Sequence, residues 1–152
     1  MSLETNKELL RSHIEVFLNT GNRALAYQQL APDFIDHGSD QELRGPEVAM
    51  QAYTTHHQAV PDLRFVLHDV IAEGDKVATL ISWSGTHVND YGPVKATGKL
   101  TGSVAVILWR IDERGQIAER WASRFLGSAI HDAQATLTVL GRVPPTEVET
   151  AR

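Results

Sequence analysis

The chain lacks cysteine, clusters of basic residues and long apolar runs, and each absence excludes a class of protein. With no Cys in 152 residues, it cannot form disulfides, use a thiolate nucleophile or bind zinc through sulfur. It has 14 Lys and Arg against 19 Asp and Glu, a net charge of −5, and no stretch concentrates the basic residues. We therefore expect no nucleic-acid partner and no contact with an anionic membrane surface. No apolar run approaches the ~18 residues that a membrane span needs, and residues 1–10 are too polar for a signal peptide. These features predict a soluble, cytoplasmic protein.

The composition is that of a globular protein, with 42% hydrophobic and 22% charged residues. A chain of this length forms one domain, and its core is large enough to enclose a small ligand cavity. We assign residues 1–142 to that domain. Residues 143–152, which include Pro144 and Pro145, are predicted to be a flexible C-terminal tail.

The N-terminal part of the sequence predicts three helices and one short strand. Thr5 and Glu8 form a capping-box pattern that begins the first helix. Pro46 begins the third, because proline is preorganised for the first helical position. The expected elements are a helix from Thr5 to the Asn19–Asn22 stop, a helix over about Arg23–Leu30, a strand at Phe34–Gly38, and a helix from Gly45 to before Pro61.

The sequence after Pro61 is rich in β-branched and aromatic residues and predicts a meander of long strands. The predicted strands are Leu63–Glu73, Lys76–His87, Lys99–Ile111 and Gln116–Phe125, and a helix is expected at Ser128–Leu140. Helices followed by an antiparallel meander indicate the α+β class. Three helices must then cover one face of a curved sheet, which can leave a pocket at one end.

Several short pieces between residues 5 and 127 occur in an order that points to one family. They are Asn19–Asn22, Leu30–His37, Arg44–Glu47, Pro61–Leu63, Ile71–Val77, Gly85–His87, Ala96–Gly98 and Gly115–Trp121. In this order they resemble the SnoaL-like polyketide cyclases of the NTF2-like superfamily. The resemblance implies an NTF2-like cone, with three helices packed on a curved antiparallel sheet around a deep pocket, and commonly a homodimer formed through the sheet. The best-described members close rings by intramolecular aldol condensation on polyketide esters, without cofactor or metal.

The chain departs from that family at the catalytic acid. In those cyclases an aspartate a few residues after the tryptophan that matches Trp121 serves as the acid/base. Counting forward from Trp121 puts Phe125 at this position, and counting back from Gly127 puts Arg124 there. The preceding strand carries Val106–Leu108 where family members often have another acid. If the chain carries out this chemistry, its base is another residue.

Histidine is the best remaining base, because its unperturbed pKa of ~6.5 suits neutral pH. His37 ends the first short strand, and His87 ends the second long strand on the face that also carries Trp83. We predict that both line the pocket, although each could instead bond loop backbone at a strand end. Asp36 points away from His37 by strand alternation, and we interpret it as a carboxylate that binds nearby loop N–H groups.

The other histidines do not predict a metal site. His56 and His57 are adjacent and therefore diverge on a helix, and no HxxxH or HExxH spacing occurs. His13 and His68 complete no cluster. His57 is expected to reach the cavity from the third helix.

Aromatic residues predict the character of the ligand. Trp83, Trp109 and Trp121 lie on three meander strands and share odd-numbered positions. With Phe34, Tyr53 and Phe125 they form the predicted substrate-binding set, which suits a small, flat, apolar or aromatic ligand. The alternative is that these rings only pack the core. Arg124 could clamp a carboxylate or stabilise an enolate, or it could be a surface charge.

Three functions remain open at this point. The first is a cofactor-independent cyclase, or a related lyase or isomerase, that acts on an apolar carbonyl compound through His37, His87 and Arg124. The second is a protein that binds a small ligand without chemistry. The third is an epoxide hydrolase of the limonene-epoxide-hydrolase type, which needs paired acids that the predicted pocket face does not show.

Overall fold

Helices from the first part of the chain pack against one face of a curved sheet. The computed structural model describes residues 2–37, 42–122 and 131–132. The helices are α1 (Leu3–Ser12), a π-helical turn (His13–Phe17), α2 (Leu18–Thr20), α3 (Arg23–Gln29) and α4 (Glu47–Ala59). Because the first three segments run on continuously, these are the three predicted helices.

The first helix begins earlier than its capping-box pattern predicts. Ser2 is its N-cap, and the Ser2 hydroxyl accepts a hydrogen bond from the Thr5 backbone N–H at 3.1 Å. The predicted start at Thr5 is therefore wrong by about half a turn. The Ser2 side chain caps the helix and binds the Thr5 N–H, so the helix already includes Thr5. The predicted stop is confirmed, since Gly21 ends α2 with φ +68°, a left-handed conformation that favours glycine.

The π-helical turn changes which side chains face the sheet. A π turn holds more residues than an α turn, so its side chains shift in phase relative to a continuous α-helix. His13, Ile14 and Phe17 are all buried here. The helical spacing of the sequence predicts Ile14 and Phe17 on the inner face, and the π turn adds His13 to them.

The sheet contains the predicted meander and two N-terminal strands. Its strands are β1 (Leu30–Asp36), β2 (Leu43–Arg44), β3 (Arg64–Glu73), β4 (Lys76–Thr86), β5 (Leu100–Ile111), β6 (Ile117–Ala122) and β7 (His131–Asp132). The order is β2-β1-β6-β5-β4-β3, and β7 pairs with β5. The α+β class and the four-strand antiparallel meander are confirmed. One difference is that β1 joins the meander in parallel with β6.

The C-terminal predictions fall mostly outside the described residues. His131 and Asp132 form a strand that pairs with Thr101 and Gly102, so the predicted helix over 128–140 is wrong at those two positions. Arg124, Phe125 and the predicted tail 143–152 lie outside the described part of the chain.

The register of the strands determines which side chains face the helices. On β4 and β5 the odd-numbered residues point inward, and Trp83 pairs with Ser103. A register shift between Arg110 and Ile111 then places Arg120 opposite Trp109, and Trp121 opposite Leu108. Beyond this shift, Arg120 and Ala122 of β6 therefore share the inner face with the odd-numbered residues of β5.

The inner face packs on the helices through one apolar core. Phe17, Phe34, Val77, Trp109 and Ile117 are among its buried members. Within the described residues, no helix has both the length and the apolar composition that crossing a bilayer requires.

Candidate functional site

A cavity of about 700 Å³ lies between α4 and the inner face of the sheet. This volume falls within the range of small-molecule sites in proteins. The walls come from β1, α4, β4, β5, β6 and the loop that follows β4. We call this space the sheet cavity.

A second depression of about 770 Å³ lies at the far end of the sheet. It runs along the turns at Gly74–Asp75 and Asp112–Arg114, and charged side chains line most of it. Arg114 there binds Asp112 at 2.7 Å and Asp33 at 3.1 Å. Because its charges pair with one another and the depression is more open, the sheet cavity is the better candidate for a ligand.

Aromatic rings form much of the wall of the sheet cavity. The predicted residues that line it are Phe34, Tyr53, His57, Trp83, His87 and Trp109. Trp109 is 2% exposed, and its indole N–H donates to the Thr79 hydroxyl at 2.9 Å. Its polar atom is therefore satisfied within the sheet, and only the apolar ring is left for a ligand.

His87 lines the cavity just beyond the end of β4. Its backbone is fixed on both sides, since its N–H donates to the Lys99 carbonyl and its carbonyl accepts from Gly98, each at 2.9 Å. Nδ1 lies 3.4 Å from the Thr97 hydroxyl. The side chain is 3% exposed, and Nε2 has no hydrogen-bond partner among the described residues. One ring nitrogen of His87 is thus left for a group that the described residues do not supply.

His37 and Trp121 do not line the sheet cavity, contrary to the prediction. The His37 Nε2 lies 2.8 Å from a Glu119 carboxylate oxygen, and its ring stacks on Trp121 with centroids 5.1 Å apart. Arg110 donates to the other oxygen of Glu119 at 2.7 Å. Burial alone would raise the pKa of Glu119, but the hydrogen bonds from His37 and Arg110 outweigh it and lower that pKa. The β5–β6 register puts this cluster on the outer face of the sheet.

Asp36 lines the cavity in place of its neighbour His37. Its carboxylate accepts a hydrogen bond from Arg120 Nη1 at 2.6 Å, and Arg120 Cζ lies 5.7 Å from the centre of the Trp109 ring. Asp36 pairs with Arg120 across the β1–β6 ladder, which brings both side chains to the inner face. The sequence interpretation of Asp36 as a loop-binding carboxylate missed this ion pair. Strand alternation already places Asp36 opposite His37, but the pairing with β6 decides that Asp36 is the one that faces inward.

Two further histidines of the cavity are neutral at neutral pH. Burial lowers the pKa of His13 to about 4, and its Nδ1 lies 3.0 Å from the Gln29 amide oxygen. Burial and the nearby Arg120 charge lower the pKa of His56 to about 4 as well. The His56 ring stacks on Tyr91, and its Nε2 lies 3.0 Å from the Tyr91 hydroxyl. Neither imidazole takes up a proton near pH 7.

His57 reaches the cavity as predicted. Its Nε2 donates to the Leu18 carbonyl at 3.0 Å, and its ring stacks on Tyr53 with centroids 4.0 Å apart. This contact ties α4 to the first residue of α2. In the part of the chain that the structure describes, no three His, Asp or Glu side chains are grouped to hold a metal ion.

The comparisons with known proteins agree with this architecture. The sequence profile of the SnoaL-like polyketide cyclase family matches residues 7–124. The comparison with curated proteins found no match.

Solved structures share the fold at low sequence identity. A candidate SnoaL-like polyketide cyclase from Jannaschia sp. CCS1 has a TM-score of 0.71 at 22% identity, covering 93% of this chain and 94% of that one. AclR from Streptomyces galilaeus, a candidate hydroxylase, has a TM-score of 0.69 at 22% identity, covering 94% and 100%. IdmH from Streptomyces antibioticus, a candidate polyketide cyclase, has a TM-score of 0.66 at 23% identity, covering 90% and 98%.

These similarities show the fold and leave the reaction open, since one fold hosts many chemistries. The family profile, by contrast, covers most of the chain, from the first helix to beyond β6. The chain therefore belongs to the SnoaL-like polyketide cyclase family and has the α+β, NTF2-like architecture of that family.

Proposed function

We propose that the chain is a cyclase-type enzyme that acts without a cofactor on an apolar, carbonyl-bearing small molecule, with His87 as the general base. The observation that supports this most directly is that His87 lines an aromatic cavity and that its buried Nε2 has no partner among the described residues. Catalytic bases must lie within hydrogen-bond reach of the proton that they remove. In this chain His87 takes over the role that the resemblance assigns to the missing aspartate.

The proposed step is a proton transfer followed by ring closure within one molecule. His87 Nε2 takes a proton from the carbon next to a carbonyl group, and the electron pair of that C–H bond forms an enolate. The enolate carbon then attacks a second carbonyl carbon of the same substrate, and the new C–C bond leaves an alkoxide. The His87 imidazolium returns the proton to this alkoxide, so the protein ends in its starting state.

Arg120 supports the same chemistry from the other end of the cavity. A guanidinium has five N–H donors, and Asp36 accepts from Nη1 at 2.6 Å. We propose that Arg120 provides the cationic contact for substrate oxygen that the sequence suggests for Arg124. The apolar walls around it strengthen such a contact, because the local dielectric constant is low.

The experiment uses 2-tetralone, a flat bicyclic ketone with exchangeable protons next to its carbonyl. Loss of these protons in D₂O is followed by NMR with wild type, His87→Gln and the matched control His37→Gln on the outer face. We expect wild type to accelerate exchange over buffer and His87→Gln to lose ~10² or more of that acceleration. His37→Gln should stay within about twofold of wild type, since one exposed-face imidazole contributes nothing to proton transfer in the cavity.

Thermal unfolding of both variants checks that each is folded at the assay temperature. Equal exchange by His87→Gln and wild type would refute the assignment of the base. An equal loss in both histidine variants would show that the effect does not come from the cavity.

Ligand binding without chemistry is the second candidate. It is favoured by the absence of the family's aspartate at Arg124 or Phe125. Trp83 and Trp109 line the cavity, so binding of 2-tetralone should quench tryptophan fluorescence. Quenching by wild type without any proton exchange would favour this candidate.

Epoxide hydrolysis ranks lower for a structural reason. That chemistry needs two acids beside an arginine, and Asp36 is the only carboxylate among the described residues that line the cavity. Incorporation of oxygen-18 from water into a diol product would be required to support it.

We further propose that two copies of the chain associate through the outer face of the sheet, as the family resemblance implies. Val106 is 57% exposed there, and Ile71, Val66 and Leu108 extend the apolar surface around it. Exposed apolar patches on a sheet face are typical of protein interfaces. Sedimentation equilibrium of wild type and Val106→Lys tests this, and a monomeric wild type would refute it.

A further inference from the structure

Two residues that line the sheet cavity each carry a buried polar atom that lacks a hydrogen-bond partner within the described residues. They are His87, with Nε2, and Thr101, with Oγ1, and the two residues are 3% and 2% exposed. A third such atom, Oδ1 of Asn6, lines the charged depression instead. Buried polar groups in folded proteins are nearly always hydrogen-bonded. Two unpaired atoms on lining residues of one cavity therefore indicate a ligand group that lies against both residues.

The strand register places these two side chains next to each other. Thr101 pairs with Gly85 on β4, and His87 follows Gly85 by two residues, just beyond the end of that strand. Diagonal neighbours of this kind have Cα atoms about 7–8 Å apart. Their side chains can therefore reach adjacent atoms of one ligand.

Gly85 allows other residues to approach closely at this corner of the cavity, because it has no side chain. A Cβ at Gly85 would lie 2.3 Å from Val60 Cγ1 and 2.7 Å from Asp62 Oδ1. The end of α4 and the residues after it therefore pack directly on β4 at Gly85, next to His87 and Thr101. This close packing limits water at the two unpaired atoms.

We propose that Thr101 donates a hydrogen bond to a ketone or ester carbonyl oxygen of the ligand, whose neighbouring carbon faces His87 Nε2. A carbonyl oxygen only accepts hydrogen bonds, and the unpaired hydroxyl of Thr101 is able to donate one. The adjacent Ser103 hydroxyl is engaged with the Val104 carbonyl at 3.5 Å. The assignment of His87 as a base rests on the proposed function, whereas recognition of the carbonyl by Thr101 does not.

The nearest polar groups favour a neutral carbonyl rather than a charged group. Thr101 and Ser103 carry no charge, and the Asp36–Arg120 pair lies beside Trp109, eight residues further along β5. A hydrogen bond from Thr101 also strengthens as negative charge develops on an enolate oxygen. One residue would thus select the carbonyl group and stabilise the charge that proton removal creates.

The test compares 2-tetralone with tetralin, a hydrocarbon of the same shape without the carbonyl oxygen. Dissociation constants are measured by quenching of tryptophan fluorescence with wild type, Thr101→Val, Thr101→Ser and the control Ser103→Ala. We expect Thr101→Val to lower the preference for the ketone by about five- to tenfold, the worth of one hydrogen bond. Thr101→Ser should keep the preference, and tetralin should bind all four proteins alike.

Thermal unfolding without ligand separates a binding role from a structural one. Thr101→Val replaces an unpaired buried hydroxyl with a methyl group, so its Tm should be equal to or higher than that of wild type. A lower Tm with an equal loss of affinity for both ligands would overturn the inference, because Thr101 would then be structural. An unchanged ketone preference in Thr101→Val, or no such preference in wild type, would also overturn it.

The two proposals can fail separately. If wild type binds the ketone through Thr101 but exchanges no protons, the catalytic proposal fails and the carbonyl site stands. If His87→Gln abolishes exchange while Thr101→Val binds the ketone like wild type, the carbonyl site fails and the base assignment stands.

Discussion

Replacing Asp36 with asparagine leaves the charge of Arg120 in the cavity without its carboxylate. The Asp36 side chain is 8% exposed and that of Arg120 is 29% exposed, with 2.6 Å between Oδ2 and Nη1. Removing one partner of a fully buried pair costs about 3–5 kcal/mol of stability. Because water reaches part of Arg120 and screens its charge, we expect Asp36→Asn to lose about 2–3 kcal/mol.

Urea unfolding measures this loss as a shift of the midpoint. With a slope of ~1–3 kcal/mol per molar for a small protein, the midpoint should fall by about 0.7–3 M, and the slope should not change. The matched control is Asp33→Asn in the surface pair with Arg114, whose side chains are 81% and 55% exposed. We expect no measurable change there, because exposed ion pairs contribute little.

The double variant Asp36→Asn with Arg120→Met identifies the cause. Removing the stranded charge should make the double variant more stable than Asp36→Asn alone. A double variant that is less stable than the single one, or equal losses in Asp36→Asn and Asp33→Asn, would refute the reasoning from a buried charge.

Two further perturbations test the packing and the titration of the cavity wall. Gly21→Ala should cost about 2 kcal/mol or more of stability, because φ is +68° and a Cβ would lie 2.5 Å from Tyr53 Cε1. The control Gly74→Ala has φ +58° and open space around a Cβ, so it should lose only the stability that the left-handed backbone costs. Equal losses of the two variants in urea unfolding would contradict this. The pKa of His13 is about 4 in the folded state and ~6.5 in the unfolded state. As the pH drops from ~6.5 to ~4, the unfolded state binds a proton at His13 that the folded state does not bind, so the stability falls. Between about pH 7 and about pH 5 this amounts to about 2 kcal/mol. The pH dependence of the urea midpoint should be smaller in His13→Gln, and an unchanged dependence would show that His13 is not its source.

The order of the elements could be predicted because its signals are local. Gly21 ends the first helix and Pro46 precedes α4, and each acts through its own backbone geometry. The four meander strands were predictable from their composition. The strand at His131–Asp132 had no such signal, because two residues paired with β5 leave no periodicity.

The face of the sheet on which a side chain lies could be predicted within one strand, but not for the next strand after a turn. Odd-numbered residues of β4 and β5 face the cavity, as alternation from Trp83 to His87 predicts. The shift between Arg110 and Ile111 reverses this parity on β6. The prediction for Trp121 therefore failed, and Arg120 was overlooked for the same reason.

The first strand shows a different limit of sequence reasoning. Alternation correctly separates Asp36 from His37, but only a partner strand determines which of them faces inward. That partner is β6, which pairs with β1 through Asp36 and Arg120. No local pattern near residue 36 contains this information.

The parallel pairing of β1 with β6 also has a consequence for the order in which the chain folds. The hydrogen bond between Arg120 and Asp36 joins residues 84 positions apart. During synthesis β1 therefore leaves the ribosome long before its partner strand β6 exists. Such distant contacts raise the contact order and slow folding. The helices and the β3–β4 hairpin can form first, and the ligand compartment is completed only when the last strand of the meander closes it.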